Sequence, residues 1–308
     1  MRTKFYGWLK EGMTGHLGGM VDPYTYLLKI SHNIVYWKNR CGHVIHIRPR
    51  HSHLNNLCDM SNKSTIEWTE QTWNPTVGCT KISAGCAHCY AETMAKRLQA
   101  IGMHGYEDGF KLSLLADRLE QPMKRKKPTL YFVNSMSDLF HEDIPNSYLD
   151  QVFSVIADTP RHTYQILTKR AERMYNYLTG KNIPDNIWLG VTVENREHGL
   201  PRIDFLRRLD AKVRFLSCEP LLEELGTIDL TGIHWVIVGG ESGPKARPMK
   251  KQWVVSLQNE CRKQNAAFFF KQWGVWGADG KKRGKKANGR LLNGRIWDEY
   301  PARRALSI

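Results

Sequence analysis

Three cysteines in one short segment have the clearest chemical potential in this chain. Cys79, Cys86 and Cys89 lie in "VGCTKISAGCAHCYAE", residues 77–92. A catalytic thiol uses one cysteine, and a redox pair of Cys86 and Cys89 leaves Cys79 without a role. Structural zinc needs four ligands, and the only nearby addition, His88, lies between two of the cysteines. The remaining alternative is an iron-sulfur cluster of four irons held by three thiolates, which leaves one iron open to a substrate or cofactor.

The sequence around these cysteines predicts a tight loop followed by a helix. Gly78 and Gly85 each precede a cysteine and allow sharp turns. Cys89 leads into "YAETMAKRLQAI", and the positive end of such a helix favours the negative charge of a cluster. Apolar residues repeat there at helical spacing, namely Met94, Leu98 and Ile101.

The rest of the chain after Met60 alternates between strand and helix patterns. Segments rich in β-branched and aromatic residues predict six strands, within 129–135, 162–169, 186–195, 212–220, 234–242 and 266–274. A seventh is expected near residues 65–70. Helical patterns lie between them, which is typical of repeated βα units and a parallel sheet. We therefore expect an α/β protein with a partial or complete parallel βα barrel, with a doubly wound open sheet as the alternative.

In either architecture, ligands bind at the carboxyl ends of the strands, and here those ends are polar. One such residue alone is typical of a solvated loop, but six strand ends with both signs of charge indicate a pocket. Gly239 and Gly240 would let a ligand or another backbone come close. The candidate site residues are Asn134, Ser135, Asp138, Lys169, Arg170, Glu194, Gly239, Gly240 and Glu241; the same ends carry Glu219, Lys271 and Gln272.

Net charge, apolar runs and cysteine placement limit the expected binding partners and cellular location of the protein. The net charge is +15, and such an excess favours contact with nucleic acid or another polyanion. No apolar run approaches the roughly 20 residues of a membrane helix, and the start lacks the apolar centre of a secretory signal, so we expect a cytoplasmic protein. Cys218 and Cys261 lie in apolar segments and are predicted to be buried thiols. Trp273, Trp276 and Trp297 could stack on exposed bases or, more commonly for tryptophan, cover the core.

Three regions are expected along the chain. Residues 1–59 show no sustained period and are interpreted as an irregular extension, with Met60 as a candidate native start. Residues 60–276 form the βα-barrel domain with the three-cysteine loop. Residues 277–308 form a basic C-terminal tail.

The motifs resemble known families. "CAHCYAE" is similar to the end of the cluster loop of radical S-adenosylmethionine (radical SAM) enzymes, although six residues separate Cys79 from Cys86 where the usual pattern has three. From about residue 62 onward, "IEWTEQTWNPTVGC", "TYQILTKR", "WLGVTVEN", "FLSCEPLL", "VIVGGESG" and "FFFKQWG" resemble a phage-associated family named for two phage gene products numbered thirty-seven and sixty-eight, also called the three-Cys-motif family.

The resemblance implies a cofactor set and an activity. Cys79, Cys86 and Cys89 would each ligate one iron of a 4Fe-4S cluster, and the amino and carboxylate groups of S-adenosylmethionine would chelate the fourth. Reductive cleavage would give a 5'-deoxyadenosyl radical. On charge grounds, Lys169 or Arg170 could meet the carboxylate, and Glu194 or Glu241 the amino group or the ribose; Asn134, Ser135 and Asp138 are equal candidates.

The resemblance also implies partners. These are DNA or RNA of phage or prophage origin as the substrate, modified or repaired at a base, an electron donor such as flavodoxin or ferredoxin, and a three-Cys-motif partner protein. The alternative is a zinc-stabilised, non-catalytic nucleic-acid-binding phage accessory protein. It would use the same cysteines and the same charge.

Overall fold

A computed structural model describes residue 64 and residues 66–301, together with the backbone of three strands nearer the amino terminus. The chain divides into two units, Met1–Asn62 and Lys63–Ile308. In the first unit, β1 (Tyr26–Ser31), β2 (Ile34–Lys38) and β3 (Val44–Ile47) pair as an antiparallel sheet. Three short strands thus lie in the segment that the sequence reading treats as irregular. The predicted boundary at residues 59–60 stays a prediction.

The second unit contains the remaining elements. In chain order they are β4 (Gln71–Trp73), β5 (Thr76–Val77), α1 (Tyr90–Ala100), β6 (Ser113–Leu114), α2 (Gln121–Lys124), β7 (Leu130–Val133), α3 (Asn146–Ala157), β8 (Thr163–Thr168), α4 (Ala171–Leu178), β9 (Ile187–Thr192), α5 (Arg196–Arg207), β10 (Val213–Cys218), β11 (Trp235–Gly239), α6 (Lys251–Lys263), β12 (Ala267–Gln272) and α7 (Lys285–Asn288). No helix in the described part of the chain is long and apolar enough to cross a membrane.

Seven strands form one sheet in the order β4-β7-β8-β9-β10-β11-β12, and every neighbouring pair is parallel. Each strand lies beside its predecessor in the chain, so the sheet winds in one direction and curls into a half-barrel. The prediction of a partial parallel βα barrel is confirmed, and the doubly wound alternative, which reverses its strand order, is wrong. The first strand begins at Gln71, just after the expected segment.

The outer face of the sheet packs against the helices. Leu149, Val152 and Ile156 of α3 are fully buried there, as are Leu257 and Cys261 of α6. Alternate residues of the strands meet them, which is why the strand segments are apolar on both faces. Cys218 and Cys261 are buried thiols, as predicted, and burial raises the pKa of Cys261 to about 12.

The inner face of the half-barrel is closed by an aromatic floor. It consists of Trp68, Phe132, Trp188, Phe215, Trp235 and Phe269. Trp68, in the segment before β4, stands edge-on to Phe132 at 4.7 Å and to Trp235 at 6.2 Å between ring centroids. These rings fill much of the interior of the half-barrel.

The chain after α7 lies along the edge strand β12. The Phe270 amide donates to the Trp297 carbonyl at 2.8 Å, and the Trp235 indole donates to the Glu299 carbonyl at 2.8 Å. These bonds cover the exposed edge of the sheet. The predicted basic tail is therefore attached to the half-barrel at particular residues, among them Leu292 and Trp297, while most of its side chains up to Pro301 are exposed.

The three tryptophans considered for base stacking belong to this packing. Trp273 is buried, Trp297 packs against the core under the Arg295 guanidinium, and the Trp276 indole donates to the Ala246 carbonyl at 2.7 Å. Their positions agree with the core interpretation.

Candidate functional site

The three cysteines lie on one loop between β5 and α1. All three are free thiols and partly exposed. Cys79 follows β5, Cys86 ends a 3-10 turn, and Cys89 caps α1. Burial raises the pKa of Cys79 to about 11, helped by the charges of Asp138 and Cys86 and opposed by Arg170.

Gly78 sets the start of this loop. Its φ is +82°, and a Cβ there would lie 2.1 Å from the Lys111 carbonyl oxygen. Its amide donates to the Met136 carbonyl at 3.0 Å, and the next amide, of Cys79, donates to the Phe110 carbonyl at 3.2 Å. The backbone therefore passes through a position that only glycine fills, and Cys79 is fixed against the loop before β6.

Arg170, at the end of β8, fastens the first part of the loop. Its guanidinium donates to the Thr80 hydroxyl at 2.7 Å and approaches the Cys79 sulfur at 3.5 Å. Glu142 at 2.6 Å and Asp138 at 3.4 Å hold it in place. Asp138 also accepts from the Thr168 hydroxyl at 2.6 Å and the Lys169 amide at 3.0 Å, so this carboxylate serves as an internal brace.

Glu194, after β9, fastens the middle of the loop. It accepts a hydrogen bond from the Ser83 hydroxyl and forms an ion pair with Arg202, 2.5 Å between Oε2 and Nη1. Both ion-pair side chains are almost fully buried. Burial opposes ionisation of Glu194, but Arg202 and the Ser83 hydroxyl outweigh it and lower the pKa of this carboxyl group.

Glu241, after β11, acts on the same turn through Arg247. Its carboxylate accepts from the Arg247 Nε at 3.0 Å and Nη2 at 2.6 Å. The same guanidinium donates to the Ala84 carbonyl at 3.0 Å. Three ion-paired anchors, from the ends of β8, β9 and β11, thus converge on one loop, with Asp138 after β7 bracing the first. In this structure Asp138, Arg170, Glu194 and Glu241 are engaged by the protein itself.

The other candidates lie nearer the interior of the half-barrel. Asn134 is buried and donates to the Thr76 hydroxyl at 2.7 Å, while its side-chain oxygen finds no partner among the described residues. The Ser135 carbonyl accepts from the hydroxyl of Tyr90, whose ring is 57% exposed beside the loop. Lys169 reaches the Thr192 hydroxyl at 3.3 Å. Asn134 and Lys169 therefore remain the predicted residues with hydrogen-bonding capacity toward a ligand.

The two glycines after β11 serve close internal packing. A Cβ on Gly240 would lie 1.9 Å from the Trp273 carbonyl oxygen, and one on Gly239 would lie 2.6 Å from the Glu219 Oε1. Of the two explanations that the sequence left open, a neighbouring backbone approaches Gly240 and a side chain approaches Gly239.

Sequence reasoning named Glu219 and Lys271 as strand-end residues but left them out of the candidate site. The structure pairs them at 3.1 Å, and Glu219 also accepts from the Trp68 indole at 3.3 Å and the Ser217 hydroxyl at 3.4 Å. Side chains alternate between the two faces of a strand, and this pattern could have identified Glu219 from the sequence, because Ser217 and Glu219 continue the inward-facing positions of Phe215 on β10.

The helix after the loop packs differently from the expected pattern. Its buried residues are Ala91 and Ala95, with Leu98 packed against them. Met94 and Ile101 are 40% and 70% exposed, so the predicted face of Met94, Leu98 and Ile101 is wrong except at Leu98. Small residues bring α1 close to β5, and this choice overrides apolar periodicity.

Structural zinc and a 4Fe-4S cluster, the two metal centres that the cysteines could form, need different arrangements of ligand side chains. Among residues 64 and 66–301, no three or more His, Cys, Asp or Glu side chains are grouped so that they could hold a metal ion. A 4Fe-4S cluster makes a different demand, because each thiolate binds a different iron and the ligands surround an inorganic core. Three free, partly exposed thiols on one anchored loop match the donor chemistry of such a cluster.

The second unit is thus a parallel half-barrel with a three-cysteine loop at its carboxyl edge. Residues 63–301 match the family described as "Protein of unknown function (DUF5131)", and the chain belongs to that family. This description differs from the phage-associated family that the motifs resemble. A search of curated proteins gives no match.

The solved structures found by fold comparison include several of spore photoproduct lyase. A cysteine-to-alanine mutant has a TM-score of 0.46 and 11% identity, over 68% of this chain and 78% of that one. A double mutant with bound AdoMet and dinucleoside spore photoproduct has a TM-score of 0.42 and 13% identity, over 66% and 64%. The fold assignment rests on the strand order described above.

Proposed function

We propose that this protein is a radical SAM-type iron-sulfur enzyme that cleaves S-adenosylmethionine to start radical chemistry on nucleic acid. The observation that carries the proposal is the placement of Cys79, Cys86 and Cys89 on one loop at the carboxyl edge of a parallel half-barrel. The similarity of "CAHCYAE" to radical SAM cluster loops supports it. When bound, the cluster and S-adenosylmethionine would supply reductive cleavage of a carbon-sulfur bond.

The residues of the chain would do the positioning. Cys79, Cys86 and Cys89 would hold the cluster, and the ion pairs from three strand ends would keep their loop in one conformation. Arg170 lies against Cys79 and would donate to its sulfur, which favours the thiolate form that binds metal. Lys169, with its contact to Thr192, remains the candidate for an anionic cofactor group.

Nucleic acid is the proposed substrate class because the chain carries a net charge of +15. The phage or prophage origin of the substrate, the electron donor such as flavodoxin or ferredoxin, and the three-Cys-motif partner stay predictions from the sequence resemblance.

Anaerobic purification and reconstitution test the proposal. The protein should be brown with about four irons per chain, and should cleave S-adenosylmethionine when reduced. Cys86→Ala should lose both properties, whereas Cys261→Ala, a cysteine on the far side of the sheet, should keep them. A colourless wild type that contains zinc and cleaves nothing would instead identify the non-catalytic zinc alternative.

A further inference from the structure

The ion pair of Glu219 and Lys271 stands apart from the other charged pairs at the carboxyl rim. Asp138, Glu194 and Glu241 all act on the three-cysteine loop, directly or through an arginine. The described contacts of Glu219 run instead to Lys271, Trp68 and Ser217, all inside the half-barrel. Anchoring of the three-cysteine loop therefore does not explain the ion pair of Glu219 and Lys271.

Neighbouring residues leave room for the ion pair of Glu219 and Lys271 inside the half-barrel and bond to it. It joins β10 to β12 across β11, whose residue at the crossing is Gly239, and a Cβ there would lie 2.6 Å from Glu219 Oε1. The Trp68 indole of the aromatic floor fixes Glu219 Oε2 from below. The side chains of Glu219 and Lys271 keep only 14% and 19% of their surface exposed. Removal from water offsets much of what such an ion pair gains, so stability of the fold alone does not explain this one.

The pair still has hydrogen-bonding capacity. Among the described residues, the Lys271 ammonium meets Glu219 Oε1 at 3.1 Å and lies 6.0 Å from the Trp68 ring centre. An ammonium has three N–H donors, and a carboxylate oxygen has two acceptor positions. Two donors of the ammonium and one acceptor position of Glu219 Oε1 therefore remain next to each other.

The same rim holds an aromatic group at the cysteine loop. Tyr90 follows Cys89, and its ring is 57% exposed. An exposed aromatic face at the same end of the sheet as a fixed donor and acceptor suits a flat heterocycle.

We propose that Glu219 and Lys271 form a recognition site for the Watson–Crick edge of an unpaired nucleobase. The edge N–H would donate to Glu219 Oε1, and its neighbouring oxygen or ring nitrogen would accept from Lys271. The base would have to leave its stack to reach this depth. The inference rests on the proposed function for its substrate class, and it adds the residues that would read the base.

The site is tested by measuring how tightly wild type and variants bind two oligonucleotide probes that differ in one hydrogen-bond donor, as in a double-mutant cycle. The probes are the trinucleotide of three thymidines and the same molecule with N3-methylthymine at its centre, which lacks the edge N–H. Wild type should bind the unmethylated probe about tenfold more tightly, the effect of one charge-assisted hydrogen bond. Glu219→Gln should bind both probes with similar affinity, and Lys271→Gln should weaken binding of both.

The matched control is the ion pair of Asp185 and Lys212, which precede β9 and β10 at the opposite end of the sheet and lie 2.6 Å apart. Asp185→Asn should discriminate between the probes as wild type does. The proposal is overturned if wild type binds neither probe, if it binds both equally, or if Glu219→Gln still discriminates. It is also overturned if the Glu219 and Lys271 variants lose only S-adenosylmethionine binding.

The same samples separate this inference from the proposed function. Iron content and S-adenosylmethionine cleavage should survive in Glu219→Gln. If wild type cleaves S-adenosylmethionine but does not discriminate, the base-recognition site is wrong and the enzyme assignment stands. If wild type discriminates but holds no iron, the enzyme assignment is wrong and the base site stands.

Discussion

Removing one partner of the Arg202–Glu194 ion pair should destabilise the fold strongly. Glu194 has no exposed side-chain surface, and Arg202 exposes 9%. Arg202→Met would leave a buried carboxylate without its cation, which costs about 3 to 5 kcal/mol. We expect a value near the lower limit, about 3 kcal/mol, because the Ser83 hydroxyl still reaches Glu194 and Lys169 lies nearby.

Replacing both partners with apolar residues should restore most of this loss. Apolar pairs of similar volume are often as stable as a buried ion pair, so Glu194→Leu with Arg202→Met should lie within about 1 kcal/mol of wild type. The residual cost would come from the Thr192 carbonyl, which accepts from Arg202 at 2.8 Å. Urea unfolding followed by tryptophan fluorescence measures Arg202→Met, Glu194→Leu and the double variant.

The double variant should nevertheless retain iron poorly after reconstitution, because Ser83 has lost its anchor and the loop its middle attachment. Stability and cluster retention would thus separate in one protein. If the two single losses simply add in the double variant, or if Arg202→Met costs less than about 0.5 kcal/mol, the pair is not a buried electrostatic unit and the reasoning fails.

Three further predictions concern packing, titration and loop anchoring. Gly240→Ala should cost about 2 kcal/mol or more in urea unfolding because its Cβ would lie 1.9 Å from a backbone oxygen, whereas Gly284→Ala, with nothing within 4 Å, should be nearly neutral. Burial and a neighbouring arginine lower the pKa of His162 in the folded protein, so the protein should lose stability as pH falls below about 6.5, the pKa in the unfolded chain. His162→Gln should therefore reduce the difference in free energy of unfolding between pH 7.5 and pH 5.5. An unchanged difference would contradict this assignment. Arg247→Met removes the link from Glu241 to the cysteine loop and should speed amide exchange in residues 79–89 about tenfold, while exchange in β9 stays constant.

The sequence by itself determined the strands, their parallel arrangement and the three-cysteine loop. Each depends on short-range signals, namely apolar runs of strand length, helical periods between them and cysteine spacing. The buried face of α1 is an exception. This segment is a helix as predicted, but it packs through Ala91 and Ala95. Periodicity gives the element type, whereas the distance to its neighbour decides which residues are buried.

Only the tertiary structure decided what the strand-end charges do. Glu219 receives the Trp68 indole across 151 residues of sequence, and Arg247 reaches the Ala84 carbonyl across 163. Sequence patterns place charges at an edge of the sheet, but strand register and curvature determine whether a side chain turns toward the loop or toward the interior. That choice makes Glu194 and Glu241 anchors of the loop, and it leaves Glu219 and Lys271 paired with each other inside the half-barrel.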